Sequence, residues 1–67
     1  MLIDTRGLSC PQPVLMVYPY LSGDEPVDVL VDNATSQENV SRAASHNGWT
    51  IAVKEEGEGV VRLELRK

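Results

Sequence analysis

One thiol and one imidazole are the obvious chemical groups in this 67-residue chain, and the thiol carries the stronger signal. Cys10 stands in Asp4-Thr5-Arg6-Gly7-Leu8-Ser9-Cys10-Pro11-Gln12-Pro13-Val14. Pro11 suits the first turn of a helix, and Pro13 falls in the same turn, where a missing N–H removes no intrahelical bond. Cys10 is therefore expected at or near a helix N-cap. There, free N–H groups and the positive end of the helix dipole favour a thiolate over a thiol. Such a cysteine can fall below the free value of about 8.5. The thiolate is a nucleophile, and a persulfide anion would gain from the same field. The two prolines stiffen the turn but remove two donors, which leaves the work to groups such as the Gln12 N–H. A cysteine can instead be a small buried hydrophobe. A Cys-Pro-x-Pro sequence opening a helix favours the chemical reading.

The neighbours divide between chemistry and scaffolding. Arg6 could contact the thiolate or a partner carboxylate, or form a surface pair with Asp4. Asp4 reads as a loop anchor through backbone hydrogen bonds rather than as a base. Gly7 marks the turn. Ser9 has no histidine partner in view, so a serine nucleophile is not expected. His46 falls near the end of a helix, where a positive charge suits the dipole and solvation is usual. Glu55-Glu56-Gly57-Glu58 reads as a solvated turn, and Trp49 as a cap on the core.

Those residues need a scaffold, and the chain spells one out. Leu2–Thr5 is a short candidate strand and Arg6–Ser9 a loop. Pro11–Leu21 reads as a helix that stops near Tyr18 or kinks there, because Pro19 would clash with the Leu15 carbonyl. Ser22–Pro26 is a turn. Val27–Asp32 alternates, with Val27, Val29 and Val31 on one face. The second helix starts within Asn33–Thr35, where Thr35 and Glu38 have capping-box spacing. Val40, Ala43 and Ala44 line one side of it, and Gly48 is a natural stop. Trp49–Glu56 alternates again, with Trp49, Ile51 and Val53 together. Gly57-Glu58-Gly59 reads as a hairpin turn. In Val60–Arg66, Val61, Leu63 and Leu65 oppose Arg62, Glu64 and Arg66. The order β-α-β-α-β-β, with one apolar face per long strand, predicts an α+β fold. It is a two-layer α/β sandwich: one mixed four-stranded sheet with two helices on one face and charge on the other.

Size and composition narrow the classes. The whole chain, residues 1–67, reads as one domain with a marginal core. That core must be aliphatic, since Trp49, Tyr18 and Tyr20 are the only aromatics. Self-association as a weak homodimer would help it. A lone cysteine excludes an internal disulfide, and one Cys with one His cannot close a zinc site. No metal or cofactor is expected. A net charge of −4 opposes nucleic-acid binding. No apolar run is long enough for membrane insertion and no signal peptide is evident, so a cytoplasmic setting is expected.

Asp4-x-Arg6-Gly7-Leu8-x-Cys10-Pro11-x-Pro13-Val14 resembles the signature of the TusA/SirA/YedF family. The likeness extends over the whole chain in length and element order. Val31-Asp32-Asn33 followed by Glu38-Asn39-Val40-Ser41-Arg42 is similar to YedF-type members, often linked with selenium metabolism. The resemblance implies a carrier, more a sulfur-relay protein of sulfurtransferase type than a turnover enzyme. Cys10 would take sulfane sulfur as a persulfide, with Asp4, Arg6, Pro11 and Pro13 shaping the site. It implies a cysteine desulfurase or rhodanese-like donor and an acceptor protein. Tyrosine-rich Leu15-Met16-Val17-Tyr18-Pro19-Tyr20 departs from the pattern, because many members carry Lys or Arg there. Met16, Tyr18 and Tyr20 form either an apolar docking patch or part of the packing on the sheet. Two alternatives stand beside the carrier: a selenium-handling or redox module, and a nonchemical interaction domain.

Overall fold

The computed structural model describes residues 1–8 and 12–67. Ser9, Cys10 and Pro11 lie outside the described residues, as does the expected helix start at Pro11. Along the chain come β1 (Leu2–Asp4), α1 (Gln12–Val17), a 3-10 turn (Tyr18–Tyr20), β2 (Val27–Val31), α2 (Ala34–His46), β3 (Thr50–Gly57) and β4 (Val60–Arg66). The strands form one sheet in the order β1-β2-β4-β3. β1 runs parallel to β2, and the other two pairings are antiparallel. This is the expected α+β two-layer fold, with the helices packed against one face of a mixed sheet.

Alternation in the strands sets the layers. Val27, Val29 and Val31 of β2 stand opposite Leu65, Leu63 and Val61 of β4. Apart from half-buried Val61, all are buried, together with Val17, Leu21, Val40, Ala44 and Trp49 from the helical side. On the other face Asp28 stands opposite Glu64, a repulsive cross-strand pair by itself. Two arginines resolve it: Arg62 Nη2 donates to Asp28 Oδ2 at 2.5 Å and Arg66 Nη1 to Asp28 Oδ1 at 2.9 Å. Burial pushes the Asp28 carboxyl up, but these two hydrogen bonds outweigh it and leave the group below its ordinary range.

The helices end where their residues require. α1 stops at Val17, and Pro19 sits in the first turn of the following 3-10 segment, where its lost N–H has no helical partner to forfeit. α2 is capped by Asn33, whose Oδ1 accepts from the Ser36 N–H at 2.7 Å. Thr35 therefore lies inside the helix and forms no capping box; Glu38 instead pairs with Arg42 one turn on. At the other end the Trp49 N–H donates to Ala44 O and the Gly48 N–H to Ser45 O. Gly48 takes φ +83, the left-handed position that this paired-bond helix ending needs.

Trp49 is buried and joins the two layers: its indole N–H donates to Leu21 O at 3.0 Å. The expected apolar face of the third strand fades along its length. Trp49 is buried, Ile51 is half-buried, and Val53 is 53% exposed, because β3 is an edge strand and the cover thins beyond its first residues. Leu15, Met16, Tyr18 and Tyr20 are all exposed, so they do not pack on the sheet.

Two stability effects follow. Trp49→Phe keeps the ring but orphans the Leu21 carbonyl, and should cost about 1–3 kcal/mol in urea unfolding. The two-residue hairpin connection Glu58-Gly59 holds both residues at positive φ, 54 and 79. Glutamate is poorly suited to that position, whereas asparagine favours it. Glu58→Asn should therefore stabilise the chain by roughly 0.5–1 kcal/mol in the same measurement.

Candidate functional site

Parallel strands end at the same edge of a sheet. The segments following β1 and β2 are therefore neighbours, and the motif follows β1. Thr5, just past the strand, is buried and donates twice to Leu30 O: its N–H at 3.0 Å and its hydroxyl at 2.5 Å. The chain then reverses in a turn closed by the Leu8 N–H on Thr5 O at 3.2 Å. Gly7 occupies the third position with φ +80, the conformation that a type II turn requires there.

Asp4 and Arg6 shape the outside of this turn. Arg6 Nε donates to Asp4 Oδ1 at 2.9 Å and Nη2 to Oδ2 at 2.6 Å. The Arg6 backbone N–H adds a third bond to Oδ1 at 3.0 Å. Asp4 thus holds both the backbone and the side chain of Arg6. The Arg6 side-chain and backbone hydrogen bonds hold the Asp4 carboxyl down at about 2 against an ordinary 3.8. The pair is half exposed, so it adds little to stability.

Asp32, the residue after β2, reaches across from the second loop. Its Oδ2 accepts the Gly7 N–H at 2.7 Å, and its Oδ1 accepts from Asn33 Nδ2 at 3.1 Å. Asn33 in turn caps α2. The motif turn is thereby tied to the first turn of the second helix. The sequence placed Asp32 at the end of an alternating strand and Asn33 at the start of the second helix, but gave neither a role in the site. The available signal was an acidic residue ending an alternating strand directly before a helix cap.

The remaining site residues distribute as follows. Pro13 is buried in the first turn of α1. Cys10 and Pro11, the persulfide candidate and its neighbour, lie outside the described residues. The hairpin between β3 and β4 reaches the same edge of the sheet, and a cavity of about 430 Å³ is lined by Arg6, Leu30, Glu56, Gly57, Glu58 and Val60. Glu55, Glu56 and Glu58 are exposed, but the expected turn over Glu55–Glu58 is shorter: Glu55 and Glu56 belong to β3, whose pairing with β4 carries on to Gly57, and only Glu58 lies in the hairpin connection. His46 is exposed in the last turn of α2. Among the described residues no cluster of three or more His, Cys, Asp or Glu could hold a metal ion. No described helix is long and apolar enough to cross a membrane.

The Asp4–Arg6 geometry has a direct test in the titration of Asp4 followed by carboxyl NMR. Its folded value is lowered, so the pair's contribution is complete above 3.8 and is lost as pH falls toward about 2. The midpoint should lie near 2, and Arg6→Gln should return it toward 3.8.

Comparison with known proteins gives this arrangement its relatives. Residues 1–67 match the family described as Sulfurtransferase TusA. A protein of Methanocaldococcus jannaschii, named "Putative sulfur carrier protein", is 34% identical over 68 residues, covering 97% of this chain and 91% of its own. The crystal structure of a SirA-like protein from Desulfitobacterium hafniense superposes with a TM-score of 0.88 at 32% identity, covering 97% of this chain and 93% of the other. With a family match spanning residues 1–67 and the same fold in a solved relative, this chain belongs to the TusA sulfurtransferase family, among the SirA-like sulfur carriers.

Proposed function

We propose that the chain accepts sulfane sulfur on Cys10 as a persulfide and hands it to an acceptor protein. The observation that carries this reading is that a sulfurtransferase family matches residues 1–67, and the chain's single thiol stands in the Asp4-to-Val14 segment that resembles a signature of such carriers. Cys10 is three residues past Gly7, whose turn is fixed by the Leu8 bond to Thr5 and the Gly7 bond to Asp32. The motif therefore starts from a shaped loop.

The chemistry needs no oxidant or cofactor. The Cys10 thiolate attacks the outer sulfur of a persulfide on the donor. A new S–S bond forms to Cys10, the donor's S–S bond breaks, and the donor leaves as a thiolate. Repeating the exchange with an acceptor thiolate returns Cys10 to its starting state. This chain is then a substrate of two partners in turn, which fits a carrier better than a turnover enzyme. A cysteine desulfurase or a rhodanese-like protein supplies persulfides of the required kind. Because the reacting form is a reduced thiol, the proposal places the chain in a reducing compartment.

The test is the intact mass of the reduced protein after incubation with a cysteine desulfurase and cysteine, and separately with a rhodanese-type donor and thiosulfate. The native chain should gain one sulfur atom from at least one donor, and Cys10→Ser should gain none. A free, alkylatable Cys10 that takes sulfur from neither donor would overturn the carrier reading and leave an interaction module in its place.

A further inference from the structure

Asp32 links the motif turn to the second helix through hydrogen bonds. One carboxylate oxygen holds the Gly7 N–H, twenty-five positions away in sequence, and the other holds the side-chain amide of Asn33. That amide is itself fixed, because its oxygen accepts from the Ser36 N–H at the start of α2. The links run in series: turn backbone to Asp32, Asp32 to Asn33, Asn33 to the helix. Each link orients the next, so the carboxylate is aimed rather than free on the surface. Among the described residues Asp32 has no ion pair within salt-bridge distance, although its charge acts on Arg6.

We propose that Asp32 is a positioning residue for sulfur loading, acting through Gly7 on the segment that leads to Cys10. This inference rests on the carrier reading above and adds a residue to it. A thiolate can attack a donor persulfide only along the axis of the S–S bond, so the approach of the motif segment matters. Releasing the Gly7 N–H frees the turn that starts that segment, while the Asp4–Arg6 pair remains in place.

Two readouts separate this role from simple stability. In Asp32→Ala, the Gly7 amide should exchange with deuterium faster by about tenfold, the loss expected for a hydrogen bond to a charged acceptor. The rate of persulfide loading from the same desulfurase and cysteine should fall on the order of 10- to 100-fold, as displacement of a reacting group does. Asp32→Asn retains an oxygen for the Gly7 N–H and should recover most of the loading rate. Asp24→Ala removes an exposed carboxylate preceding β2, away from the motif, and should load like the native chain. If Asp32→Ala fails to fold, Asn33→Asp decides. Aspartate keeps the helix cap but, ionised, has no proton to donate to Asp32, and both readouts should move in the same directions. Native loading rates in a folded Asp32→Ala would overturn the inference and leave the carrier reading standing. Slow loading with unchanged Gly7 exchange would also overturn it. Failure of the native chain to load would overturn the carrier reading and this inference with it.

Discussion

Parallel pairing of β1 with β2 is the constraint on which the rest depends. Leu2, Ile3 and Asp4 register against Asp28, Val29 and Leu30, so both strands run out at the same edge. Thr5 extends the pairing by one residue, with two donors on a single carbonyl. Only then can Gly7 of the first connection meet Asp32 of the second. An antiparallel pairing would put these connections at opposite ends and leave the motif turn without its partner. Crevices outside the carboxyl ends of parallel strands are where α/β sheets ordinarily place their chemistry. The motif of this chain follows such an edge, in a sheet with a single parallel pair.

The two ends of the molecule do different work. At the end away from the motif, Trp49 inserts between the layers, bonds the Leu21 carbonyl and closes α2 through its own N–H to Ala44. Lys67 lies 5.7 Å from the indole centroid and bonds Gly23 O, which brings the chain's last residue onto the same end. This end is built by burial. The motif end is built from exposed polar groups: Asp4, Arg6, Gly7, Asp32 and Asn33 are all solvent-accessible. A chain with so little core keeps its apolar contacts together and leaves the opposite edge for directional bonds.

What the sequence disclosed and what it withheld follow from the range of the interactions. Val27, Val29 and Val31, or Leu63 and Leu65, announce a buried face through a period of two, which is a local signal. Pro19 ends α1 for a reason internal to its own ring. The Asp4-to-Pro13 spacing is likewise local, so the motif could be read directly. The Asp32–Gly7 bond joins residues twenty-five apart and exists only because two strands pair in parallel. The acidic residue between a strand end and a helix cap is a local hint, but nothing along the chain names Gly7 as its partner. Thr35 with Glu38 had the right spacing for a capping box, but Asn33 entered the cap position first and carried the helix start with it. Val53 shares the alternation of its strand yet stays exposed, because alternation reports which face a residue is on and not whether anything covers that face.

The polar construction of the motif end has a further physical reason. On the carrier reading proposed above, a sulfur atom moves between two proteins only if both reacting atoms are accessible, so burial cannot be the means of holding the transfer loop in shape. Directional hydrogen bonds remain, and they work in water when the acceptor is charged or the donor is a backbone N–H. The Asp4 carboxylate takes three such bonds from Arg6, and Asp32 takes one from Gly7 and one from Asn33. Exposed bonds of this kind contribute little to unfolding free energy. Their effect is to narrow the conformations of the turn rather than to deepen the native well. Asp4 and Asp32 therefore shape the motif turn through geometry, while Trp49 and the valines hold the fold through burial.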